Sequence, residues 1–180
     1  PATNQLVEHD FDYRYKAAKV KAIVCTNDGE VSVEAEKAAV NYPGMVKVLV
    51  GGNKEGWHDF NVEMERFSTN FKRTEESPCG NDPMLMLFTS GTTGVSKGVC
   101  LSQKNICSVV MGAAGCIKVT EEDQLLSVLP IHHTYECTVG FLYIIYCGAC
   151  ISFNQGLRYI TRDFKEVKPT CFITVPLLIE

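Results

Sequence analysis

The densest anion chemistry in the chain lies in Thr89-Ser90-Gly91-Thr92-Thr93-Gly94-Val95-Ser96-Lys97-Gly98, directly after the apolar run Met84-Leu85-Met86-Leu87-Phe88. Glycines let a backbone turn sharply and bring amide N–H groups close to a ligand, while the hydroxyls and the Lys97 ammonium add further donors. Together they suit a polyphosphate; the bland alternative is a Gly/Thr surface turn. The pattern is not the Walker loop. Counting from Gly91, that loop needs glycine where Ser96 stands and Ser or Thr where Gly98 stands. Gly91, Gly94 and Gly98 also miss the G-x-G-x-x-G spacing, so hydride transfer with a dinucleotide loses its main support.

A second group is Leu129-Pro130-Ile131-His132-His133-Thr134-Tyr135-Glu136, which follows an expected strand and so places two histidines at its carboxyl edge, where open α/β sheets bind ligands. An imidazole there can exchange a proton near neutral pH. For His132 the favoured reading is a loop residue bonded to backbone. Cys147-Gly148-Ala149-Cys150 has redox or half-zinc spacing, but it closes a helix and opens a strand, the reverse of a redox pair, and no second C-x-x-C completes a metal site. Two buried thiols are the expectation. Arg158, Arg162, Lys165 and Lys168 recur at helical spacing and read as a solvated face, with a contact to CoA phosphates as the weaker reading.

The elements that must position these groups alternate. The pattern predicts helix over 10–19, strand over 20–25, a polar-faced helix over 30–40 and strand over 46–50. Residues 54–82 turn polar, with Trp57, Phe60, Phe67 and Phe71 as anchors, and form the expected internal boundary. A second series follows: strand 84–89, loop 90–98, helix from 103 to about 112, strand 125–129, helix 138–147, strand 149–153, helix 158–167 and strand 170–174. Short β-branched runs separated by helices are the signature of parallel strands joined by crossovers, so the fold class is α/β with parallel sheets flanked by helices.

Composition narrows the function classes. A 180-residue chain that is 46% hydrophobic and 21% charged is globular, and 17 basic against 21 acidic residues, without a basic run, disfavours nucleic acid. Nine cysteines scattered through apolar stretches suggest reduced, cytoplasmic usage. No secretory signal is visible, and the missing initiator Met suggests an excised piece. The uncharged stretch 137–153 is 17 residues long and interrupted by Gly148, so a buried helix and strand are expected rather than a membrane span.

Residues Thr89 to Val99 resemble the phosphate-binding signature of the adenylate-forming superfamily, which includes acyl-CoA synthetases, luciferases and peptide-synthetase adenylation domains. Ser96 departs from it, standing where many members carry proline. The resemblance implies a place in the large N-terminal domain of that fold. It implies ATP, Mg²⁺ and CoA as partners, with Thr89, Ser90, Gly91, Thr92, Thr93, Gly94 and Lys97 around the nucleotide phosphates. Leu129 to His133 is similar to the family's second signature, whose last position lines the acyl and adenylate pocket; His133 matches it and is assigned to positioning and gating. Lys168 to Glu180 is similar to a family strand and the start of the next helix.

From Asp82 onward the chain most resembles fatty acyl-CoA (long-chain) synthetases, partly through Tyr135-Glu136, while Pro1-Ala2-Thr3 and residues 10–25 look more like medium-chain enzymes. The expected organisation is the end of a first α/β subdomain and a connecting segment over 1–80, then a second subdomain over 81–180. The mobile C-terminal domain, the Mg²⁺-binding glutamate, the ribose-binding aspartate and the adenylation lysine of the family have no counterpart here. The resemblance therefore implies a fragment of an enzyme joining a medium- or long-chain fatty acid to CoA, inactive alone, with peripheral membrane attachment left open. The competing readings are a peptide-synthetase-type adenylating enzyme and a non-enzymatic nucleotide-binding module.

Overall fold

A computed structural model describes residues 1–89 and 96–176. The chain divides into two compact units, Ala2–Ser77 and Pro78–Glu180.

In the first unit, α1 (Glu8–Ala18) leads to β1 (Ala22–Thr26), α2 (Val31–Ala39) and β2 (Val46–Val50), followed by a short β3 (His58–Asp59) and α3 (Phe60–Met64). The strands form a parallel sheet ordered β1-β2-β3. Its core holds Phe11 and Tyr15 of α1, Cys25, Leu49 and Trp57, with Ala35 and Ala38 of α2 fully buried. Alanines at those two points let α2 approach closely enough for the Tyr15 hydroxyl to donate to the Ala35 carbonyl at 3.1 Å. Of the anchors expected in the polar stretch, Trp57 is buried, but Phe67 and Phe71 are 75% and 86% exposed and Phe60 is 41% exposed. Aromatic type alone does not place a ring inside; Trp57 has an indole N–H with a partner, and the others lie on or beyond the one-turn-and-a-half α3.

The second unit opens with β4 (Pro83–Thr89) and β5 (Lys97–Ser102), an antiparallel hairpin. The sequence pattern extends the loop through Gly98, but Lys97 and Gly98 begin a strand. Val99-Cys100-Leu101 is a β-forming run that pairs with Leu87, Met86 and Leu85, and the apolar strand it meets lies immediately upstream. Space is tight at Gly98, where a Cβ would meet Met86 Sδ at 3.0 Å and push that flexible side chain aside. Ser102 then caps α4 (Gln103–Cys116), its hydroxyl accepting from the Asn105 N–H at 3.2 Å.

Beyond α4, β6 (Gln124–Ser127) is the centre of a parallel sheet ordered β7-β6-β8, with β7 at Cys150–Phe153 and β8 at Cys171–Phe172. A π-helical segment (Glu136–Leu142), α5 (Tyr143–Tyr146), a 3₁₀ turn (Leu157–Tyr159) and α6 (Ile160–Val167) make the crossovers. Leu125 and Leu126 are 1% and 0% exposed, which accounts for their apolar character at a central strand. The expected helix over 138–147 begins two residues earlier and in π geometry, with the Glu136 side chain lying over Gly140. No helix among the described residues is long and apolar enough to cross a membrane.

Candidate functional site

The hairpin register puts Thr89 directly opposite Lys97. Residues facing one another across an antiparallel pair project to the same side with Cβ atoms about 5 Å apart. The hydroxyl and the ammonium therefore start from one end of the hairpin, both exposed, at the two ends of the Ser/Thr/Gly segment. Ser90, Gly91, Thr92, Thr93 and Gly94 lie outside the described residues.

The histidine loop occupies residues 128–135, between the last residue of β6 and the first of the π-helical segment. Its backbone is closed by local bonds: the His133 N–H donates to the Pro130 carbonyl and the Cys137 N–H to the His133 carbonyl, each at 2.9 Å. The two imidazoles lie with ring centroids 4.6 Å apart and planes at 36°. His133 is exposed and His132 half-buried. Two hollows border the loop. One, of about 260 Å³, lies at the carboxyl edge of β6 and β7 and is lined by Ser127, Leu129, Pro130, Phe153 and Asn154 among others. The other, of about 390 Å³, is chiefly apolar and is lined by Tyr135, Val139, Tyr143, Phe172 and Ile173 among others.

Beneath the loop sits a group that residue-type reasoning did not single out. Glu136 is 1% exposed, its carboxyl is hydrogen-bonded to the Ser127 hydroxyl, and its second oxygen, Oε2, has no partner among the described residues. Burial pushes this carboxyl above the usual range, and the Ser127 bond pulls it partly back. A sequence signal existed: Glu136 is the one Asp, Glu, Lys or Arg between Asp123 and Arg158.

The discounted groups fall out differently. Cys147 is half-buried and Cys150 exposed, so the expectation of two buried thiols is wrong for Cys150, which starts the edge strand β7. Arg162 is engaged locally, donating to Asp163 at 3.1 Å and to Gln155 at 2.7 Å. Asp163, on the same helix, is 4% exposed and also accepts from the Gln155 N–H at 3.0 Å and Asn154 Nδ2 at 2.8 Å, tying α6 to the turn after β7. Among the described residues no three His, Cys, Asp or Glu side chains converge in a way that could hold a metal ion.

An α/β unit in which Thr89 and Lys97 face each other across a hairpin, with a histidine loop at the carboxyl edge of a parallel sheet, fits the architecture of the adenylate-forming enzymes. The chain belongs to the AMP-binding enzyme family, whose model matches residues 1–180. It is 32% identical over 178 residues to the Homo sapiens long-chain-fatty-acid–CoA ligase ACSBG2, covering 91% of this chain and 26% of that enzyme. It is 39% identical over 115 residues to long-chain-fatty-acid–CoA ligase 5 of Rattus norvegicus, covering 61% of this chain and 16% of that one. The chain thus spans about a quarter or less of these relatives. Among solved structures it resembles the anthranilate CoA ligase AuaEII in complex with anthranoyl-AMP, with a TM-score of 0.86 and 20% identity over 98% of this chain and 35% of that one. It also resembles ATP-bound MatB from Rhodopseudomonas palustris, with a TM-score of 0.80 and 24% identity over 99% of this chain and 34% of that one. At these identities the two structures establish the fold, an adenylate-forming α/β architecture.

Proposed function

We propose that the protein carrying this sequence activates a medium- or long-chain fatty acid with ATP and passes the acyl group to CoA. The observation that carries this reading is the match along nearly the whole chain to an enzyme named as a long-chain-fatty-acid–CoA ligase. The apolar hollow beside the histidine loop supports an alkyl substrate, and the Thr89–Lys97 pairing supports a phosphate site at the hairpin tip.

In this reading the carboxylate attacks the α-phosphorus, a new P–O bond forms, and the bond to the bridging oxygen breaks as pyrophosphate leaves. Two anions are brought together and the leaving group gains charge, so preorganised donors are what the step needs. Lys97 supplies an ammonium, Thr89, Ser90, Thr92 and Thr93 supply hydroxyls, and Gly91 and Gly94 open the backbone amides to the phosphates. The acid is already ionised near neutral pH, so no general base is required, and His133 orients and gates the reacting carboxyl. CoA sulfur then attacks the acyl carbonyl and AMP departs. The described residues provide no all-protein metal cage, and Mg²⁺ is assigned to the incoming triphosphate, the common mode for this ion.

The organisation proposed is a first α/β subdomain ending in a connecting segment over residues 1–80 and a second, bearing the phosphate loop, over 81–180, in a cytoplasmic enzyme. The test is ATP–pyrophosphate exchange by the full-length natural polypeptide with acids of graded chain length. Exchange should require a fatty acid and peak within the medium- to long-chain range; exchange driven instead by amino acids would replace this reading with a peptide-synthetase-type one.

A further inference from the structure

We propose that Glu136 is a positioning residue for His133: its buried carboxyl, bonded to Ser127 and seated over Gly140, clamps the two ends of the 128–135 loop together and so fixes the imidazole at the carboxyl edge of β6. The inference rests on the role given to His133 above.

Three observations converge on it. Ser127 is the last residue of β6 and Glu136 the first of the π-helical segment, so their hydrogen bond joins the residues that flank the loop on either side. Both are buried, at 7% and 1% exposure, so water does not compete for the bond. The helix also leaves a place for the carboxyl: a Cβ at Gly140 would lie 2.6 Å from Glu136 Oε2 and 2.7 Å from Oε1. A glycine one helical turn on, at the point where the backbone is π-helical, fits a site shaped around that side chain.

A carboxyl that merely filled space would not need a hydroxyl partner. One serving as a general base for substrate would need an open path, which a 1% exposed group lacks. The chain of contact instead runs outward: Glu136 is followed by Cys137, whose N–H bonds the His133 carbonyl, and His133 N–H bonds Pro130. Fixing Glu136 therefore fixes the turn that presents the imidazole. Because burial favours the neutral carboxyl, glutamine reproduces its shape and its bond to Ser127, while alanine and aspartate do not.

The experiment compares wild type, Glu136→Gln, Glu136→Ala, Ser127→Ala and the Glu136→Ala/Ser127→Ala double variant in the full-length polypeptide, by amide hydrogen exchange and by fatty-acid-dependent pyrophosphate release. Glu136→Ala and Ser127→Ala should each speed exchange at the His133 and Cys137 amides by about tenfold, with the double variant no worse than the worse single. Turnover should fall by about tenfold or more with KM for ATP unchanged, and Glu136→Gln should retain wild-type protection and turnover within about threefold. Additive effects in the double variant, unchanged protection in either alanine variant, or a Glu136→Gln variant as loose as Glu136→Ala would overturn the proposal. Raised exchange with wild-type turnover would overturn it too. If Glu136→Ala does not fold, Ser127→Ala, which deletes one oxygen, decides. Wild type that releases no pyrophosphate with any fatty acid ends the functional reading alone, and the exchange data still decide the clamp.

Discussion

In the unit Ala2–Ser77, Glu36 sits among Lys54 Nζ at 2.8 Å, Lys47 Nζ at 3.1 Å and the Trp57 indole N–H at 3.0 Å. In the unit Pro78–Glu180, Glu136 has one hydroxyl partner, and its second oxygen has none among the described residues. Both carboxyls hold elements together, but their surroundings shift them in opposite directions. The Lys54 bond leads in holding Glu36 well below its ordinary 4.5, at about 2, whereas burial holds Glu136 above it. The Glu36 cluster is a half-exposed charge network that fastens α2 to β2 and to Trp57; nothing in it points to a ligand. Glu136 is a buried carboxyl at the root of a loop that carries imidazoles. A charge with every partner in place reads as structure, and a buried polar group short of partners among the described residues, beneath an exposed histidine loop, reads as support for a proposed site.

Mutations sharpen the contrast. The largest expected effect is on the first unit: Trp57→Ala removes the buried ring, its bond to Glu36 and the ring over which Lys54 and Lys47 lie at 5.1 and 5.7 Å, and should cost about 3–5 kcal/mol by denaturant unfolding. A loss under about 1 kcal/mol would mean the network stands without its aromatic floor. Next, Gly140→Ala drives a methyl into the Glu136 carboxyl and should cost about 1–3 kcal/mol. Glu136→Ala in the same molecule should relieve part of that loss; additive losses would break the account of a shaped seat.

The smallest effects test protonation. Glu36→Gln should cost about 1 kcal/mol or less at pH 7, since its lysines are partly solvated. The sign follows from linkage. A lowered carboxyl contributes stability that is present above 4.5 and is lost as pH falls toward about 2, so Glu36→Gln should flatten the acid limb. Glu136 has the reverse sign: its contribution is full below the ordinary carboxyl value and declines as pH rises through its raised one. Glu136→Gln should therefore shift stability by less than about 1 kcal/mol and remove a decline on the rising side, read from melting temperature against pH. The same slope in both variants would erase the distinction.

How much of this was legible in the sequence depends on what kind of force sets each feature. The β2 strand over 46–50 and a helix starting at 103 are legible in the sequence pattern, because local chemistry decides them. The parallel strands followed from apolar runs, and the family from ordered motifs. The residue pattern puts Lys97 in a loop rather than a strand, because what makes β5 a strand is its cross-strand register with β4. Phe67 and Phe71 look like anchors by type, yet they are exposed, because burial is set by what packs against them. Glu136 carries no signal of its own in the motif: its role needs Ser127 and Gly140 in contact, and no periodicity announces that.

The most direct test of the account is Lys97→Ala in the full-length polypeptide, assayed by fatty-acid-dependent ATP–pyrophosphate exchange. With Lys97 on the departing pyrophosphate, exchange should fall by about 10²–10³-fold while the melting temperature stays near wild type. Wild-type exchange in the well-folded variant would contradict the phosphate site at the hairpin tip and with it the proposed chemistry.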